Sequence, residues 1–149
     1  MWGDSVVARY AGGKPLSEEE TWTKLLRYVE HWALLGFGYW VVEDKSSGKF
    51  VGEVGFANYK RDTQQSLEGI PEAGWVLARE AHGTGYATEA VRAAMGWGEA
   101  HFGATRTACI SHPESAASIR VAERCGYREP KPASYKGEPV VLFVREPGR

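Results

Sequence analysis

"GWVLAREAHGTGYATEAVRAAMGWGEAHF", Gly74 to Phe102, decides the fold. Its opening, with Glu72 and Ala73 just before it, reads as a strand. From about Thr84 to His101 it reads as a helix, with Ala87, Ala90, Val91, Ala94, Met95 and Gly98 along one stripe. The junction, "HGTGYATEA" (His82–Ala90), carries Gly83 and Gly85. Glycine weakens a helix, so two at a helix start need a reason. A strand that turns through glycines into a helix makes an anion site. The first helical amides lack internal acceptors, and the helix dipole adds partial positive charge there. Without Cβ atoms the loop admits a phosphate closely, to amides from Gly83 to Thr88 and to the Thr84 and Thr88 hydroxyls. Spacing excludes two other phosphate loops. No GxxxxGK[ST] is present, and Gly83-Thr84-Gly85 lacks the third glycine of GxGxxG.

On the N-terminal side, "PLSEEETWTKLLRYVEHWALLGFG" (Pro15–Gly38) reads as a helix. Ser17 and Glu20 form a capping box. Trp22, Leu25, Leu26, Val29, Trp32 and Ala33 recur at helical spacing and predict the buried face. "YWVVED" and "KFVGEVGFANY" read as a hairpin about "KSSG". Residues 60–71 read as a polar loop. On the C-terminal side, "TRTACIS" is a strand, "SAASIRVAERCG" a helix ended by Gly126, and "SYKGEPVVLFVRE" a final strand or strands after a turn at Lys136-Gly137. This order predicts an α/β (α+β) domain with a mixed sheet, one domain over residues 1–149.

Composition narrows the function. A net charge of -1 gives no bulk case for nucleic acid or an anionic membrane. No apolar run is long enough to span a bilayer. The start, "MWGDSVVARY", lacks the pattern of a secretory signal. Cys109 and Cys125, with no CxxC, read as reduced thiols of a cytoplasmic protein. His31, His101 and His112 have no partners at ligand spacing and no HExxH occurs, so no metal is expected.

Four segments in order carry a family resemblance. "HGTGYA" (His82–Ala87) resembles the Q/R-x-x-G-x-G/A coenzyme loop of the GCN5-related N-acetyltransferases, the GNAT superfamily. "EAGWVLA" is similar to the strand before it, "HPESAASIRVAERCGY" to the family's N-x-x-S…G-F/Y segment, and "FVGEVGF" to a hairpin strand of the RimJ/RimL-like subgroup. The resemblance covers about Ala11 to Phe143. It implies a mixed, mostly antiparallel central sheet flanked by helices. It also implies acetyl transfer from acetyl-CoA to a primary amine, on a small molecule or a protein N-terminus, by direct attack in a ternary complex.

The site residues it implies are these. Trp75, Val76, Leu77 and Ala78 carry the pantetheine arm, with amides near Leu77 and Ala78 polarising the thioester. His82, Gly83, Thr84, Gly85, Tyr86, Ala87 and Thr88 hold the pyrophosphate. Ser115 and Ser118 add coenzyme contacts. Glu53 is the first candidate for the base that frees the amine, because a carboxylate within a central strand needs a reason. Glu72 is the second, and a water relay serves either. Tyr135 and Trp40 are expected beside the acceptor, whereas Trp22, Trp32 and Trp97 are expected in the core.

The chain also departs from the pattern. The family's opening strand and helix have no counterpart here, which predicts an uncovered strand edge and admits a homodimer. His82 stands at the Q/R position and Ser115 at the asparagine. The tyrosine that many members use as general acid is replaced by Ala122, leaving Ser118, water or solvent. The alternative reading is an impaired coenzyme A-binding module or interaction domain of the same fold.

Overall fold

A computed structural model describes residues 1–61, 63 and 67–147. The elements are α1 (Ser5–Ala8), α2 (Glu18–Leu35), β1 (Tyr39–Glu43), β2 (Phe50–Ala57), β3 (Glu72–Leu77), α3 (Tyr86–Phe102), β4 (Thr107–Ser111), α4 (Ala116–Arg124), β5 (Arg128–Tyr135) and β6 (Glu138–Arg145). The mixed α/β reading therefore holds. Of the polar loop expected over 60–71, residues 62 and 64–66 lie outside the described residues.

Six strands form one sheet in the order β1-β2-β3-β4-β6-β5. All neighbours are antiparallel except β3 and β4, which run parallel. That exception positions the site. β3 and β4 share a single registered pair, Glu72 with Ala108, and pair nowhere further along. Beyond Glu72 the two strands part, leaving a gap at their C-terminal ends.

Register fixes what each face carries. Glu53 lies opposite Val41 and Val76, while Val54 lies opposite Trp40 and Trp75. Alternation puts Trp40, Val54, Phe56, Ala73 and Trp75 on the face packed against Val91, Ala94 and Met95 of α3. The opposite face carries Tyr39, Val41, Glu53, Glu72 and Val76. It is the polar face of a sheet whose other side is the core.

The helix α2 forms where its sequence predicts, with the Ser17–Glu20 capping box in place. It docks on a different side from the one its apolar stripe suggests. Trp22 and Val29 are 59% and 62% exposed, and Leu25 and Leu26 are exposed as well. The docked side is aromatic and polar instead. Tyr28 donates to Glu53, and Trp32 Nε1 donates to the Tyr39 carbonyl at 2.8 Å. His31 bridges the Phe37 carbonyl at 2.6 Å and the Asn58 amide at 3.0 Å. Specific hydrogen bonds thus fix the helix against the sheet edge. Trp22 is not a core residue; Trp32 and Trp97 are half-buried and pack together.

Two elements were not legible in sequence. The strand β5 contains Pro130 and Pro132, which a ladder tolerates at an edge, and β5 is the edge beyond β6. The helix α1 is a single turn capped by Asp4. The segment around it reaches both arms of the gap, because Asp4 grips Arg79 just after β3 and the Tyr10 ring packs tilted against His112 just after β4.

Candidate active site

One mouth of the gap is the glycine loop. Gly83 and Gly85 adopt φ of 74° and 85°, in the left-handed region that glycine enters without strain. Gly85 is the N-cap of α3 and carries no side-chain cap. Among the described residues, no acceptor takes the amides of Gly83 to Thr88. They are the free ends of a 17-residue helix and its entry turn. Such a cradle fits a diphosphate. The side chains of the loop are turned to other tasks. The Thr84 hydroxyl donates to the Ala81 carbonyl and the Tyr86 hydroxyl to Asp44 in the β1–β2 turn. Both anchor the loop, so the backbone supplies the free donors.

The wall of the gap is the unpaired side of β3. Ala78 donates to the Val51 carbonyl at 2.8 Å, so its amide is spent on β2. Antiparallel alternation then turns Glu72, Gly74 and Val76 toward β2, and Trp75 and Leu77 toward the departed β4. Of the two amides expected to polarise a thioester, that of Leu77 faces the gap and that of Ala78 does not; the Trp75 amide faces it as well. The Leu77 carbonyl, which lost its ladder partner, meets His82 Nε2 at 2.9 Å. His82 thus ties the loop to the strand end rather than facing a phosphate. On the other arm, Ser111 at the end of β4 bonds Ser118 of α4 at 3.0 Å. Ser115 is the buried N-cap of α4.

The opposite mouth opens on the polar face of the sheet. Glu53 is 8% exposed and takes a hydrogen bond from Tyr28. Burial raises its pKa against the opposing pull of the Tyr28 hydrogen bond and the nearby Lys24 charge. Tyr28 stacks on Tyr39, whose hydroxyl lies where a Cβ on Gly74 would stand. Glu72, at the closed end of the gap, is held by Arg61 at 2.6 Å. The Arg61 guanidinium covers the Tyr59 and Tyr135 rings at 5.2 and 5.0 Å. Burial raises the Tyr59 phenol to about 12. A bridge between Thr63 and Tyr135 joins the loop to the β5–β6 hairpin. Glu53, Glu72 and Tyr135 therefore share one face. Trp40 does not. It points to the α3 side, against Trp32 and Trp97 at 5.3 and 4.8 Å, because it alternates with Tyr39 and Val41.

The comparisons decide the family. The profile described as an acetyltransferase (GNAT) domain matches residues 1–128. The chain belongs to the GNAT acetyltransferase family. The Bacillus subtilis (strain 168) protein YkkB is 32% identical over 143 residues, covering 95% of this chain and 78% of its own. A GnaT-family protein from Bordetella pertussis superposes with a TM-score of 0.80 at 28% identity, over 91% of this chain and 81% of that one. The aminoglycoside acetyltransferase AAC(6')-Ib, solved with coenzyme A, shares the fold at a TM-score of 0.78 and 16% identity, over 97% and 84% of the two chains.

In this GNAT domain, Ala122 is fully buried and its carbonyl accepts the Tyr127 amide at 3.0 Å. No phenol stands at that position, and Ser118 is the hydroxyl nearest in sequence that meets the β4 arm. Sequence reasoning missed Tyr28, Tyr39, Tyr59 and Arg61. Alternation within "YWVVED" exposes Tyr39 as the partner of Glu53's face. Tyr28, Tyr59 and Arg61 arrive from a helix and a loop, for which no local spacing signals the meeting.

Proposed function

We propose that this GNAT domain is an N-acetyltransferase that moves the acetyl group of acetyl-CoA to a primary amine by direct attack. The observation that carries the reading is the gap between β3 and β4. It joins a cradle of free amides on one side of the sheet to a buried carboxylate on the other. Acetyl-CoA supplies an activated acyl thioester. The Gly83–Thr88 amides bind its diphosphate, and the open edge of β3 pairs with the pantetheine amides as an added strand. The Trp75 and Leu77 amides face the place where negative charge develops on the acyl oxygen. Glu53 accepts the ammonium proton, directly or through a water, so that the free amine attacks. Glu53 is favoured over Glu72 on position. It flanks Val76 at the open end, whereas Glu72 sits at the closed end and is engaged by Arg61. Ser118 stands at the β4 arm to protonate the departing thiolate.

The experiment is release of free thiol from acetyl-CoA across a panel of amines and peptides. Parent protein releases thiol with at least one acceptor. The Gly85→Glu variant, which puts a carboxylate and a strained φ into the cradle, does not bind coenzyme A. Parent that binds coenzyme A but turns over no amine refutes the enzyme and favours a binding module.

A further inference from the structure

We infer that the acceptor is an amine that also carries an acid group, an amino-acid-like zwitterion rather than a polycation. The inference rests on the acetyl-transfer reading and names the substrate class of that same cleft. Three cations gather around the face where Glu53 lies. Lys24 stands on α2 one turn before Tyr28, and its ammonium lies 4.3 Å from the Trp2 ring centre and 5.5 Å from that of Tyr28. Arg27 covers Tyr59 at 5.4 Å, and Arg61 covers the same ring from the loop. Two carboxylates lie on that face. Glu72 is held by Arg61, and Glu53 is capped by Tyr28. Glu20, one turn before Lys24, is engaged at the helix cap. Among the described residues, Lys24 and Arg27 have no carboxylate within salt-bridge reach.

A second observation points the same way. The Trp2 indole N–H is buried and directed at Glu53, whose ionised form it favours, and Lys24, Arg27 and Arg61 lie close enough to act on one another. Cations are thus in surplus over carboxylates around Glu53. An amine facing Glu53 leaves an attached acid group facing Lys24 and Arg27. A polycation would instead meet Lys24 and Arg27 with like charge.

The test compares leucine, leucinamide and spermidine as acceptors of the full chain, with kcat/KM expressed per unprotonated amine. The expected result is a preference of at least about tenfold for leucine over both. Arg27→Gln, at an exposed position that leaves folding intact, raises KM for leucine several-fold and leaves leucinamide unchanged. Lys24→Gln raises KM for leucine more strongly and, by removing a charge that favours ionised Glu53, shifts kcat for both amines alike; neither variant alters coenzyme A affinity. Equal use of leucine and leucinamide, or a preference for spermidine, overturns the inference while leaving acetyl transfer standing. Loss that falls equally on leucine and leucinamide in both variants also overturns it. Coenzyme A binding with no thiol release from any amine overturns the acetyl-transfer reading and this inference together.

Discussion

Glu53 combines three properties that rarely coincide: a central strand position, burial, and a pKa raised by that burial despite hydrogen bonding from Tyr28. Glu53→Gln should lower kcat by roughly 10²- to 10⁴-fold and leave coenzyme A affinity unchanged, as steady-state kinetics and titration will read. The same carboxyl gives a stability signature. Tyr28 and Lys24 from α2, Trp2 and the Met1 amino group all pull its pKa down, against the larger effect of burial. Its folded pKa lies above the ordinary 4.5, so ionisation is harder in the fold. The parent therefore loses stability as pH rises from below 4.5 through the folded value. Glutamine does not ionise, so the variant should gain on the parent as pH rises. Urea midpoints across pH test this, and a constant difference would sink it. Gly55 is a purely steric case. A Cβ there would lie 2.2 Å from the Gly38 carbonyl oxygen and 2.5 Å from the Tyr39 Cα, both backbone. Gly55→Ala should cost about 1–3 kcal/mol, because the β1–β2 strands must shift and overpacking strains the sheet.

At the scale of elements, α2 shows how propensity and docking separate. Its cap, length and helical spacing are local properties. Which stripe is buried depends on the partners offered by the sheet edge, and these were a carboxylate, two carbonyls and an amide. Val29→Gln should therefore change stability by no more than about 0.5 kcal/mol, as expected for an exposed site. Trp32→Ala should cost about 3 kcal/mol, because it removes a packed indole and its bond to Tyr39. Chemical denaturation of the two variants separates the two faces, and the opposite ranking would reverse the docking. The link between the β2–β3 loop and β3 makes a parallel case. Arg61→Ala strands Glu72 at the closed end of the gap and should cost about 3 kcal/mol, read in the same way.

Across the whole molecule, one sheet separates two half-sites and one missing stretch of pairing connects them. Coenzyme A at 100 times its Kd should stabilise the parent by about 2.7 kcal/mol and the Gly85→Glu variant not at all, measured by thermal shift. The sequence by itself determined the strand–glycine–helix junction, the capping box, the hairpin and the order of the elements other than α1 and β5. These depend on residues near one another in the chain, where backbone preference and periodicity act directly. It also singled out Glu53, because a carboxylate inside "FVGEVGF" breaks the strand's own pattern. Only the tertiary structure decided that β3 and β4 pair once and then part. The same holds for Trp75 and Leu77, rather than Ala78, facing that gap, and for His82 replacing a lost strand partner. Tyr28, Tyr59, Arg61 and Tyr135 come from a helix, a loop and a distant hairpin to meet Glu53 and Glu72. Their meeting depends on strand register and on how elements pack, and no spacing along the chain encodes either.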